Sequence, residues 1–370
     1  MALSDSQIRW FRLVRSGLVE PFGAPEVAAG ALAGMQAQIL PAAALSLWNR
    51  TDGLTYDIFE DLLYDSRSLV KLWGQRHTLH LYPSQEWPLI HSALKTGTTW
   101  WQRSWQKAGG DLNAFNATVQ ELAETLRERE TLGRSDLREM DLGLGESALS
   151  SWGGIFSELV HHGYACHAKP AGNEGRFAHR EVWLPGLDWT LPSLEAANIE
   201  LARRYFRTFG PATVQDFAYW RGAKVSDARR WLAAQPDAFS EVTVRGQSAL
   251  ALREDAETLN QAPPPPDAWP VRMLYRFDPL LLAHKDKTWL IEPAFYNRVW
   301  RPAGHIEGTI LERGRLVGAW RYDRKGQGLE VTVSPFTSLT AKAKKAIALH
   351  SEGVAAFFDR PLLDLVIEAA

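Results

Sequence analysis

"SLEAANIELARRYFRTFGPATVQDFAYWRGAKVSDARRWLAAQPDAFSEVTVRGQSALALRE", residues 193–254, changes its hydrophobic period once, from helical to alternating. The spacing predicts a helix over 193–210, a second after the "GPAT" break and a third over 224–234. Two alternating stretches follow, "FSEVTV" and "SALALRE", joined across "RGQ". Three helices closed by a hairpin is the plan of a winged helix, a helix-turn-helix with a β-ribbon wing.

Working outward, the same plan recurs upstream. Residues 115–185 read as a helix ("FNATVQELAETLRERE"), a short helix opened by Ser135 and a helix ending in "HHG". The strands "YACHAKPA" and "RFAHREVWLP" then meet across "GNEG". Residues 1–90 open with a Ser- or Asp-capped helix ("SDSQIRWFRLVRSG"). A helix from Pro25 to Pro41 follows, then the amphipathic "TYDIFEDLLYDS". "SLVKLWGQRHTLHLYP" reads as a hairpin-like end of strand period, with Arg76, Thr78 and His80 on one face. Repetition at this scale implies a tandem array.

"NQAPPPPDAWP", residues 260–270, reads as a linker. Beyond it, "MLYRFDPLLLAH", "TWLIEPAF", "GTILERGRLVGAWRY" and "LEVTVSP" read as short strands, and Thr340 opens a last helix. The expected class is α+β. The expected domains are 1–110, 111–190 and 191–260, each a winged helix, and 261–370, a small β-rich, barrel-like module.

The 370 residues suffice for two to four domains. No run of about 18 apolar residues exists, so no membrane span is expected. The N-terminus has no basic region followed by an apolar stretch, so no signal peptide is read there. Cys166 is the only cysteine, which excludes an internal disulfide or a cysteine-based metal site and fits a cytoplasmic location. Net charge is −2, yet residues 270–345 carry 14 Lys+Arg against 7 Asp+Glu, while 111–269 carry 16 against 23. Local charge governs phosphate attraction. The 16 tryptophans are either packing residues or surfaces on which bases stack.

"GMQAQIL", residues 34–40, sets two neutral amides two apart in an otherwise apolar segment. Buried amides cost free energy unless hydrogen-bonded, so Gln36 and Gln38 are either satisfied structure or a site. On a continuous helix, positions i and i+2 sit about 200° apart and do not converge. Pro41 implies that the helix ends or bends here, which would let both amides face one cleft. An amide is a poor general base but can hold a water or a base edge. "RHTLH" is by itself satisfied structure as readily as a binding strand. "FYNRVWRPAGH", residues 295–305, is either a packed connection or a probing loop, with Asn297, Arg298 and Arg301 for phosphates and Trp300 as a wedge. Arg321, Lys325 and "KAKK" at 342–345 are further phosphate candidates, the last equally a solvated helix face. No GxGxxG with a following acid, Walker loop, HExxH or GxSxG motif is present, and "GLGES" at 143–147 is only a loose loop match.

The sequence resembles the AlkZ/YcaQ-type winged-helix DNA glycosylases. The resemblance rests on "GMQAQIL" with "LSLWNRT", "LWGQRHTLHL", "RRYFRTFGPATVQDFAYWRG", "YRFDPLLLAHKD" and "GRLVGAWR", which span nearly the whole chain. It implies a C-shaped array of three winged helices plus a barrel-like domain. It also implies excision of alkylated purines and unhooking of interstrand crosslinks in double-stranded DNA, with Gln36 and Gln38 as the catalytic pair. The segments that carry it place Arg50, Arg76, His77, Thr78 and His80 beside the loop residues as DNA contacts. One departure is His77, where the family usually carries a small residue, Gly. Lys71, Lys95 and Lys107 are the only lysines in the first 110 residues, and none neighbours the amide pair. A monofunctional hydrolase is therefore expected over a lyase, acting as a monomer, nucleoid-associated when on DNA, without metal or cofactor. The alternative reading is a non-enzymatic regulator built of tandem winged helices.

Overall fold

A computed structural model describes residues 2–95, 98–140, 146–150 and 154–370. Most of the "GLGES" stretch and residues 151–153, where the third helix of 115–185 was expected to start, lie outside the described residues. The chain divides into two compact units, one formed by Met1–Phe59 with Asn198–Ala370, the other by Glu60–Ala197.

The first unit carries the opening stretch of the sequence almost as read. Helices run over Leu194–Phe209, Val214–Arg221 and Val225–Ala233, and strands Phe239–Val244 and Gln247–Leu252 pair antiparallel. Thr213 caps the second helix: its hydroxyl accepts from the Asp216 amide (3.0 Å) and donates to the Asp216 carboxylate (2.7 Å). The Arg245–Gly246 turn has positive φ at both positions (49° and 77°), as tight hairpins require. Tyr205, Phe206, Phe209 and Phe217 are fully buried between the helices.

The N-terminus joins this element from a distance of over 200 residues. Ala2–Leu3 adds a parallel strand to Phe239–Val244. The helix Asp5–Arg15, boxed at Ser4 by Gln7, buries Ile8 and Phe11 against Val242, Ala249 and Ala251. The proline-rich stretch 260–270 belongs to the same unit and is tied down at its end. Trp269 is 1 % exposed and donates its indole N–H to the Pro264 carbonyl (2.8 Å).

The C-terminal sheet runs in the order Leu362–Ile367, Gly328–Pro335, Arg315–Lys325, Gly308–Glu312, Arg272–Leu274. It is open: among the described residues the two outer strands do not pair, so no barrel closes. The apolar side chains a barrel would enclose instead meet the helix Ala341–Phe357, which buries Ala343, Ile347, Val354 and Ala355 beside the sheet. Other element readings also change. "MLYRFDPLLLAH" is strand only over Arg272–Leu274 and ends in the short helix Pro279–Leu282, and "RFAHREVWLP" passes from strand into the short helix Arg180–Trp183. "TWLIEPAF" forms turns, its apolar character explained by burial of Leu290 and Ile291 rather than by a strand. The final "LLDLVI", not anticipated, forms the outer parallel strand.

The second unit holds two hairpins and the helices between them. Leu69–Trp73 pairs with Leu79–Pro83, and Ala165–Ala171 with Glu174–His179. The helices Leu112–Glu128 and Gly154–His161 bury Phe115, Val119, Leu122, Leu126, Ile155, Phe156 and Leu159, and Phe156 stacks on Phe177 (4.2 Å between centroids). Among the described residues, no helix is long and apolar enough to cross a membrane.

Candidate functional site

The amide pair lies in the first unit, in a break between two helices. The helix opened by Pro25 stops at Ala31. Ala33 (φ 50°) and Gly34 (φ 108°) turn the chain, and Met35–Gln36 is extended. Pro41 does not close that helix. It sits in the first turn of the next one, Leu40–Trp48, where its missing N–H costs no hydrogen bond. The helical objection to convergence therefore lapses, because residues 35–39 are not helical. Met35 and Ala37 are fully buried, Gln36 is 6 % exposed, and Gln38 is exposed. One amide is thus embedded in the apolar wall and its neighbour reaches solvent, the arrangement of a group fixed from behind at the edge of a surface.

Arg50, expected on DNA, is spent inside the same unit. It is wholly buried and grips Asp278 with two N–H bonds (2.8 and 2.9 Å). It also donates to the carbonyls of Ser16 (2.8 Å) and Ser46 (3.0 Å). Its charge is neutralised by a partner 228 residues away, which no local pattern announced.

The loop 295–305 belongs to the first unit as well. Trp300 bridges to Ile306, and Glu307 donates its amide to the Val299 carbonyl (3.0 Å), which makes 299–307 a small closed loop. Trp300 is half-buried against the core rather than projecting. Arg298 lies over the Phe336 ring (4.6 Å) and donates to the Pro335 carbonyl (3.1 Å), and Arg301 pairs with Glu307 (2.8 Å). Asn297 is exposed. Tyr296, not singled out from the sequence, stacks on Trp300 and remains 41 % exposed. Its position four residues before Trp300 on a helical turn was the available signal.

The basic excess of the C-terminal segment is partly consumed. Arg272 donates to the Leu18 carbonyl (2.8 Å), and Lys342 is held by the Asp267 and Trp269 carbonyls. What stays outward is a ribbon at the end of the sheet, where residues 362–366, 328–332 and 321–325 lie side by side. Arg321–Lys325 pairs with Gly328–Thr332 on one side, past the point where Gly308–Glu312 stops at Trp320. Arg321 and Lys325 are 62 % and 59 % exposed there.

Residues 76–80 lie in the second unit and form a hairpin turn rather than a continuous strand. Arg76, Thr78 and His80 therefore do not share one strand face. Gly74, then a tight turn over Gln75–His77 with φ of 57° at both Arg76 and His77, interrupts the alternation. A Cβ at Gly74 would collide with the Tyr82 hydroxyl and the His80 ring. Thr78 donates its hydroxyl to the Gln75 carbonyl (3.0 Å), and Tyr82 donates to the Gln75 side-chain oxygen. His80 is 4 % exposed. Burial, with the Arg76 cation in support, holds its imidazole at about 3, so it is neutral at physiological pH. Its Nδ1 then donates to the Thr78 carbonyl (2.9 Å). His77 is exposed, and Arg76 and Thr78 are half-buried.

"HHG" does end a helix, as expected of a capping group. Burial raises the nearby Glu158 carboxyl to about 6. Among the described residues, no group of three or more His, Cys, Asp or Glu side chains is placed to hold a metal ion.

The family model describing AlkZ-like DNA glycosylases matches residues 29–357. A curated relative, the interstrand DNA cross-link repair glycosylase of Streptomyces sahachiroi, is 29 % identical over 377 residues and 96 % of each chain. The solved structure of the Streptomyces sahachiroi DNA glycosylase AlkZ superposes over 100 % of both chains with a TM-score of 0.84 and 28 % identity.

Proposed function

The chain belongs to the AlkZ-like DNA glycosylase family, and from that premise we propose that it hydrolyses the N-glycosidic bond of N7- or N3-alkylated purines in duplex DNA. We further propose that Gln36 and Gln38 position the attacking water, and that crosslinked bases, like those acted on by the Streptomyces relative named for crosslink repair, are among the substrates. The observation that carries the reading is the amide pair in its non-helical connector, one member embedded and the other at the surface.

Alkylation places a positive charge on the purine. Departure from the sugar neutralises that charge, so the leaving group needs little or no protonation. The remaining tasks are to stabilise an oxocarbenium-like sugar and to aim a water at C1′. Two amide carbonyls supply partial negative charge and fixed acceptors for both, without a strong base. Undamaged purines leave as anions and are left intact by the same machinery. A base tethered to the opposite strand cannot be swung out freely, so unhooking calls for attack on the bond in place.

Helix–helix–helix–hairpin order at 194–252 supports a winged helix there, and we read 1–110 and 111–190 in the same way, with 261–370 as the C-terminal module. DNA contacts are assigned to Arg76, His77 and Thr78 on the hairpin turn, to Asn297, Arg298 and Arg301 on the loop, and to Arg321 and Lys325 on the ribbon.

The test is incubation with N7-methylated or mustard-crosslinked duplex, then alkali and a search for strand breaks at abasic sites. Wild-type protein is expected to release 7-methylguanine. Replacing both glutamines with alanine is expected to lower the single-turnover rate by about 100-fold or more. Normal release by the double variant defeats the assignment. Borohydride is expected to trap no protein–DNA adduct, the mark of a monofunctional enzyme.

A further inference from the structure

The loop carrying Asn297 and Arg298 presents a ring where a core residue would hide one. Tyr296 is 41 % exposed although its ring lies 5.0 Å from that of Trp300 at an interplanar angle of 19°. One face of the phenol therefore rests on the indole while the residue as a whole stays exposed. The indole itself cannot move away. It packs on the cluster containing Leu290, Val299 and Ile306, and its backbone N–H donates to the Tyr296 carbonyl (3.0 Å). The Lys287 ammonium, which donates to the His284 carbonyl, lies 5.5 Å from the Trp300 ring centroid and 5.3 Å from that of Tyr219.

A ring immobilised in this way loses little conformational freedom when a third ring stacks on it. Flat stacking accepts any nucleobase, since every base has a π-face. The exposed neighbours Asn297 and Arg301 offer N–H donors to a sugar–phosphate backbone. The wedge expected at Trp300 is thus a support, and the contacting ring stands one helical turn earlier.

We propose that Tyr296, backed by Trp300, is a stacking platform for an unstacked nucleobase of the bound DNA. The assignment rests on the glycosylase reading, for those alkylated bases that are not tethered to the opposite strand and can leave the stack. The test uses the full chain and 2-aminopurine as the probe, placed as a single-nucleotide bulge in an otherwise paired duplex, with a fully paired duplex of the same sequence beside it. Wild-type protein is expected to prefer the bulged duplex and to change its emission. Tyr296→Ala is expected to lose about tenfold in affinity for the bulge, to keep its affinity for paired duplex within about twofold, and to melt at the wild-type temperature. Tyr296→Phe, which keeps the ring, is expected to match wild type in every readout. Equal affinity and emission change for Tyr296→Ala and wild type overturn the platform, as does a Tyr296→Phe variant as weak as Tyr296→Ala. Base release from methylated duplex by the wild type is read separately. Its absence defeats the glycosylase reading, while a ring-dependent bulge preference still stands or falls by itself.

Discussion

Gln36 shows how a residue can be legible in kind and illegible in setting. An amide between Met35 and Ala37 was conspicuous because apolar walls do not carry polar groups without reason. That it is embedded while Gln38 is exposed depends on where one helix stops, at Ala31, and the next begins, at Leu40. Arg50 is the converse. It looked like a phosphate ligand and proves to be half of a buried ion pair with Asp278, both side chains fully enclosed. Removing one partner leaves an uncompensated charge in the core, so Asp278→Ala is expected to cost about 3–5 kcal/mol in chemical denaturation. A loss below about 1 kcal/mol contradicts the pairing. His77 stands at φ 57°, where a β-carbon is strained and glycine is not. His77→Gly is expected to stabilise the second unit by about 0.5–1 kcal/mol, and a lower melting temperature for the variant counts against that account.

At the scale of elements, periodicity succeeded wherever one face was buried and failed where turns did the work. The hairpin 69–83 alternates through its arms, and strand period continues in the sequence over Arg76–His80 because Arg, His and Thr carry no turn signature; only Gly74 does. The turn is held by Gly74, whose amide donates to the Thr78 carbonyl (2.8 Å). Gly74→Ala would force the new methyl into the Tyr82 hydroxyl and the His80 ring. It is expected to cost about 1–3 kcal/mol and to slow base release, because the Arg76–Thr78 segment would be displaced. Unchanged stability in a urea titration would show that the turn relaxes freely. The helix from Pro25 was overextended for a related reason. Pro41 reads as a terminator in the sequence, although proline is as much at home in a first turn.

For the whole molecule, the order of elements was readable and the grouping was not. Nothing local shows that Ala2–Leu3 pairs with Phe239–Val244, or that residues 1–59 and 198–370 form one unit. The stability of the chain, with titrating groups in both units, should carry a pH signature. Unfolded imidazoles titrate near about 6.5, whereas burial holds His80 at about 3 and His91 and His350 at about 4. Neighbouring cations add to the effect: Arg76 at His80, Arg272 at His350, and His161, Lys95 and Arg180 at His91. Folded values lie below unfolded ones, so the unfolded chain takes up more protons between those limits. The stability from keeping the three rings neutral is complete above about pH 6.5 and is lost as pH falls toward the folded values. Glu158, raised to about 6, works in the opposite direction, contributing below its unfolded value and losing that contribution as pH rises through 6. Three groups outweigh one, and the melting temperature is expected to fall between pH 7 and pH 4.5. A flat or rising profile in thermal melts excludes this balance.

Helix and strand order, the capped helix starts and the conspicuous amides were set by local rules: period, capping chemistry and the cost of polar groups among apolar ones. Those rules act over a few residues and can be read from a few residues. The open sheet, the fate of Arg50 and the exposure of Tyr296 were decided only by tertiary structure, because each depends on which distant surface arrives to cover a side chain. Burial is a property of neighbours far along the chain, and no short stretch of sequence contains it.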